Sequence, residues 1–164
     1  MFMKSSTVLG GLVLFGVSSA AAQIGGQTGT VPGFPQFYES SVDRECEGGF
    51  ACELGFGLVS SNSLFMATDI TCQAFADADA PPGTRGRFTL REVKSGKETL
   101  KIEVEVADVS PPSTVARREY LLHESLLSFF APGSRPTIRF VPSGGLHRSL
   151  ALACKLAGNL VRRQ

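Results

Sequence analysis

The stretch Leu100-Lys101-Ile102-Glu103-Val104-Glu105-Val106 decides the architecture. Apolar and charged residues alternate through it with a period of two, so one face enters a core and the other meets water, the pattern of a half-buried β-strand. Just upstream, Arg87-Phe88-Thr89-Leu90-Arg91 repeats the alternation, and Lys94-Ser95-Gly96-Lys97 between them is a turn signal. A two-residue Ser95-Gly96 loop sets Leu90 opposite Lys101, on conflicting faces. A three-residue Lys94-Ser95-Gly96 loop, with Gly96 left-handed, sets Leu90 opposite Leu100, Phe88 opposite Ile102 and Arg87 opposite Glu103. The three-residue loop is therefore expected.

Outward from this hairpin the same period recurs. In 64–75 the even positions Leu64, Met66, Ile70, Cys72 and Ala74 form one side; in 149–157 Leu150, Leu152, Cys154 and Leu156 do so. A shorter strand is expected over 137–141. The segment 117–130 suits a helix at Leu122, Leu126, Phe129 and Phe130 and a strand at Tyr120 and Leu122. In an all-β context it is read as a strand over 119–123 followed by a bend or one helical turn. The turns Ala80-Pro81-Pro82-Gly83, Ser110-Pro111-Pro112-Ser113 and Pro142-Ser143-Gly144-Gly145 punctuate the rest. Six or seven short strands with this spacing predict an all-β fold, a sandwich or a small barrel, and of the two a single antiparallel β-sandwich, Ig-like or jelly-roll-like, is expected over 39–164.

The N-terminus reads differently. Lys4, the apolar run Val8-Leu9-Gly10-Gly11-Leu12-Val13-Leu14-Phe15-Gly16-Val17 and the small residues Ala20-Ala21-Ala22 make 1–22 a secretory signal peptide, with the mature chain beginning near Gln23. The leader is too short to remain as a membrane span, so the expected location is secreted or periplasmic. Residues 23–38, uncharged up to Tyr38 and interrupted by Pro32 and Pro35, read as a flexible Gly/Pro-rich tail.

An oxidising compartment makes disulfides the natural state of the four cysteines. Cys46 and Cys52 flank a short Gly-bearing loop, while Cys72 and Cys154 both fall on the apolar sides of their strands. Locality and face favour Cys46–Cys52 with Cys72–Cys154 over the other two pairings. The spacing fits neither C-x-x-C zinc ligation nor a redox pair, and no residue set points to a metal or a cofactor.

Charge is segregated. Residues 23–79 carry Glu39, Asp43, Glu45, Glu47, Glu53, Asp69, Asp77 and Asp79 against Arg44 alone, whereas after Glu124 there is no acid. This presents either a basic surface for an anionic envelope component or protein partner, or two halves whose charges pair across interleaved strands. Near-zero net charge in an exported chain argues against nucleic acid.

Candidate catalytic groups are sparse: no Trp, two His and two Tyr. His123-Glu124-Ser125 holds the residue types of a nucleophilic triad, but adjacent side chains point in different directions. His147 beside the Gly144-Gly145 turn reads as a solvated strand-start residue. Asp77/Asp79 and Glu103/Glu105 have the look of a glycosidase pair, yet alternating acids are ordinary on an amphipathic strand. Glu45, Glu47, Asp77 and Asp79 lack EF-hand spacing. No catalytic residue is assigned.

Three segments carry a family resemblance: Met66-Ala67-Thr68-Asp69-Ile70-Thr71-Cys72, the turn Ala131-Pro132-Gly133-Ser134-Arg135-Pro136, and Ala153-Cys154-Lys155-Leu156-Ala157-Gly158-Asn159-Leu160-Val161. Over 55–161 the chain resembles small exported bacterial β-sandwich proteins of uncharacterised function. The resemblance implies a bridged β-sandwich and brings no activity with it. The functional expectation is an exported, non-catalytic binding or structural module of the cell envelope. The alternative is a small secreted hydrolase or hydrolase inhibitor acting through loops 46–52 or 143–148.

Overall fold

The computed structural model describes residues 36–77, 84–110, 117–144 and 147–162. The leader, the tail up to Pro35, Asp79 and most of the Pro-rich turns lie outside the described residues. Eight strands run through the remainder: β1 Gln36–Gly49, β2 Cys52–Gly55, β3 Ser63–Asp77, β4 Arg85–Lys94, β5 Lys97–Ala107, β6 Arg117–Phe130, β7 Arg135–Pro142 and β8 His147–Arg162. They form two four-stranded sheets, ordered β1-β8-β3-β6 and β2-β7-β4-β5.

The pairing is nested. β1 lies against β8, β2 against β7, β3 against β6 and β4 against β5, all antiparallel. The chain is thus one long hairpin with its tip at the β4–β5 turn, rolled until β3 also meets β8 and β4 also meets β7. That winding is a jelly roll.

Two strands depart from the sequence reading. β1 starts at Gln36, ahead of the boundary at Glu39. Its residues are mostly exposed because it is an edge strand, so its sequence carries little apolar alternation to betray it. β6 is a single 14-residue strand with no helical turn. Leu122 and Phe130 are buried while Leu121, Leu127 and Phe129 are exposed, and apolar residues on both faces imitate a helical period.

Two bulges reset the expected phases. The β4–β5 hairpin closes through Ser95-Gly96 alone, with Lys94 opposite Lys97 and both turn residues at positive φ, 50° and 75°. Such a turn matches the strand twist. The register then shifts between Leu90 and Arg91, so that Leu90 faces Ile102 rather than Leu100 or Lys101. Leu100 is turned out at 57% exposure. Lys101 is turned in, 2.8 Å from Glu92, with its ammonium 5.5 Å from the centre of the Phe130 ring. Glu92 also accepts the Ala131 N–H at 2.5 Å, tying the hairpin to the β6–β7 turn. Burial, the largest influence on this carboxyl, raises its pKa; hydrogen bonds from Lys101, Ala131 and Ser134 outweigh it and hold the carboxyl below its ordinary range.

In β3 the bulge lies between Ala67 and Asp69. It places Phe65 and Ala67 in the core along with Ile70, Cys72 and Ala74. Leu64 and Met66, expected inside, turn to the outer face.

The core fills the space between the sheets with Phe65, Phe88, Tyr120, Phe130, Phe140, Ile138, Leu150, Leu152 and Leu156. Tyr120 of the first sheet packs on Phe140 of the second at 5.0 Å, and its hydroxyl reaches Thr84 Oγ1 at 2.9 Å. Beside it Arg118 and Asp108 form a nearly buried ion pair at 3.4 Å.

Both disulfides join the expected partners. Cys72 and Cys154 are direct register neighbours on β3 and β8 and bond within one sheet, their Cα atoms 4.1 Å apart. Cys46 and Cys52 bond from β1 to β2, so this bridge staples the two sheets together. Two structural disulfides suit an oxidising environment. No helix among the described residues is long and apolar enough to cross a membrane.

Candidate binding surface

The outer face of the β1-β8-β3-β6 sheet gathers most of the chemically interesting side chains, and the strand registers arrange them in rows. One end is apolar. Phe37, Asn159, Met66 and Phe129 follow one another across the four strands. Leu64 and Val161 form the adjoining row on one side, and Leu127 of β6 lies on the other side of Phe129, towards Ser125. Phe37 is 57%, Phe129 46%, Leu127 69% and Val161 42% exposed. The β3 bulge is the local cause, since it carries Met66 and Leu64 outward.

The middle of the face is polar. Ser41, Lys155, Thr71 and His123 share a row. Lys155 pairs with Glu39 at 2.9 Å. Thr71 Oγ1 lies 3.0 Å from His123 Nδ1 and 3.5 Å from Asp69 Oδ1, and His123 Nε2 lies 3.9 Å from Asp69 Oδ2. A hydroxyl, an imidazole and a carboxylate therefore meet here, a grouping invisible in the sequence because β6 and β3 are about 50 residues apart. It lacks the rest of a nucleophilic site. His123 lies on an open face, and β3 is paired on both sides, so its N–H groups are consumed by the ladders and cannot form an oxyanion hole. Glu124 turns to the opposite face from His123, while Ser125 shares the outer face two residues on, opposite Asp69.

At the far end, Glu45, Glu47, Phe75, Arg117, Arg148 and Ser149 line a shallow cleft of about 80 Å³. A small-molecule site usually occupies roughly 300 Å³ or more. This cleft accommodates an ion or the tip of one side chain.

Beside it sits the one histidine whose sequence reading is overturned. His147 begins a strand, as expected, but is 2% exposed rather than solvated. Its Nδ1–H donates to Asp77 Oδ1 at 2.7 Å, and the Arg148 N–H donates to Asp77 Oδ2 at 2.6 Å. Burial, the largest influence on Asp77, raises its pKa; the His147 hydrogen bond, the Arg148 N–H and the charge of His147 outweigh it, leaving the carboxyl below the usual range. His147 Nε2 is enclosed and has no hydrogen-bond partner among the described residues. A general base needs that nitrogen within reach of the proton it takes. The dyad instead pins the start of β8 to the end of β3.

The other candidate carboxylates divide into paired and unpaired sets. Glu103 and Glu105 pair with Arg87 and Arg85 at 3.5 and 3.3 Å on the outer face of the second sheet. Asp43, Glu45, Glu47 and Glu53 form no ion pair among the described residues, so charge pairing across the two halves is partial. No group of three or more His, Cys, Asp or Glu among the described residues is placed to hold a metal ion.

No family model and no curated protein matches the sequence. A solved structure described as Eiger TNF from S. frugiperda is similar over 76% of this chain and 95% of its own length, with 8% identity and a TM-score of 0.39.

Proposed function

We propose that this chain is an exported, non-catalytic binding or structural module of the cell envelope, secreted or periplasmic, that works through the outer face of its β1-β8-β3-β6 sheet. The observation carrying this reading is the character of that face: open, with exposed apolar side chains at one end and, at the other, a shallow cleft of only about 80 Å³. A surface of this kind contacts another surface; it does not enclose a substrate. The acids Asp43, Glu45 and Glu47 along β1, none in an ion pair among the described residues, fit a protein partner better than an anionic polysaccharide.

The hydrolase alternative draws on one feature, the Asp77–His147 pair. Assay of the mature protein from Gln23 against ester, amide, glycoside and phosphate substrates separates the two. The module reading expects no turnover that distinguishes wild type from Asp77→Asn or His147→Gln. A turnover abolished by either substitution in folded, oxidised protein would replace it with the enzyme.

A further inference from the structure

We propose that the apolar end of this face is a self-association surface, occupied by the same end of a second copy of the chain. The inference rests on the non-catalytic reading above and names the partner.

The row Phe37-Asn159-Met66-Phe129 has an aromatic residue on each edge strand and smaller or longer side chains on the two central ones. A two-fold axis about 15° off the strand direction, half the usual angle of about 30° between packed sheets, passing between β8 and β3, lays β1 of one copy over β6 of the other. Phe37 then meets the second copy's Phe129, and Asn159 meets its Met66. The row is nearly palindromic, so one patch serves both copies, which is what an isologous interface requires. Val161 and Leu64 enlarge the contact on one side of this row and Leu127 on the other.

Charge permits the face to be covered. Glu39 is neutralised by Lys155 at 2.9 Å, and Asp69 faces His123 at 3.9 Å. An uncharged surface laid on these groups strands no lone ion, whereas a strongly charged partner finds no free opposite charge at this end. The acids Asp43, Glu45 and Glu47 lie towards the other end of β1, and sheets packed face to face cross at about 30°, which lets those rows diverge.

The area sets the strength. Four strands about 4.8 Å apart, over the roughly six residue rises of about 3.3 Å from the Leu64–Val161 row to Lys155, present roughly 380 Å². A stable interface buries about 800 Å² per partner, so the dimer is a weak, reversible one.

The test is sedimentation equilibrium of the oxidised mature protein from micromolar to millimolar concentration. A reversible dimer is expected. Phe129→Lys should weaken it at least tenfold, while Leu100→Lys, on the outer face of the other sheet, should leave it unchanged. Circular dichroism checks that each variant is folded. Isotope-filtered NOEs in a mixed labelled sample give a readout that needs no substitution: contacts between Phe37 and Phe129 rings arise only across two copies. A monomer at every concentration overturns the inference, as does a dimer indifferent to Phe129→Lys or lacking those NOEs. A monomer that instead binds lipid vesicles through Phe129 overturns the second copy but leaves the module reading standing. Turnover lost on Asp77→Asn defeats the module reading itself.

Discussion

Removing the Cys72–Cys154 bridge should cost more than removing Cys46–Cys52, although the second is the one that ties the two sheets together. The reason lies in the unfolded chain. Cys72 and Cys154 are 82 residues apart, Cys46 and Cys52 only 6. Loop-closure entropy gives the long bridge about 4.5 kcal/mol and the short one about 2.4 kcal/mol at 25 °C. In the native state the ordering is reversed, because β3 and β8 are held along their length by backbone pairing whether or not Cys72 and Cys154 are joined. The two contributions therefore pull the comparison in opposite directions. Urea unfolding of Cys72→Ala/Cys154→Ala and Cys46→Ala/Cys52→Ala, each with its remaining bridge oxidised, measures the difference. With no Trp in the chain, circular dichroism is the signal. The long-bridge variant should lose about 2 kcal/mol more and show the larger rise in m-value, since its unfolded chain expands further. Equal losses, or a greater loss for the short bridge, would refute the entropic ordering and make the inter-sheet staple the dominant element.

Gly158→Ala should destabilise by about 2–3 kcal/mol in the same assay, because its Cβ would run into the Met66 carbonyl oxygen and lie 2.8 Å from Ala67 Cα, both backbone atoms at the β3 bulge. Gly96→Ala meets nothing within 4 Å, so its cost, about 1 kcal/mol, comes from the positive φ alone. Asp108→Asn leaves the buried Arg118 guanidinium without its carboxylate and should cost about 3 kcal/mol, seen as a lowered urea midpoint at neutral pH. Asp77, Glu92 and Asp108 all have carboxyls held below their ordinary range in the fold. The unfolded chain therefore binds protons first on acidification, so their contribution is complete above about pH 5 and is lost as pH falls through the folded values. Glu92→Gln should flatten the acid limb of a stability–pH curve relative to wild type, and an unchanged limb would exclude Glu92 as a contributor.

The strands were legible wherever one face meets the core and the other meets water. Leu150, Leu152, Cys154 and Leu156 declare β8, and Ile102, Val104 and Val106 declare β5, because a period of two is a property of a dozen consecutive residues. The disulfide pairing followed from the same phase, since two cysteines on apolar faces have one core to enter. Where that phase breaks, local pattern fails. The bulges at Ala67/Asp69 and Leu90/Arg91 depend on how a strand must bend against its neighbours, and each moved side chains across the sheet: Met66 and Leu100 out, Lys101 in. The nested pairing of β1 with β8 and β2 with β7 is likewise a matter of how the long hairpin rolls up. His147 was misread for this reason. Its partner Asp77 is 70 residues away, and only the meeting of β3 with β8 brings the carboxylate to the imidazole and shuts both from water.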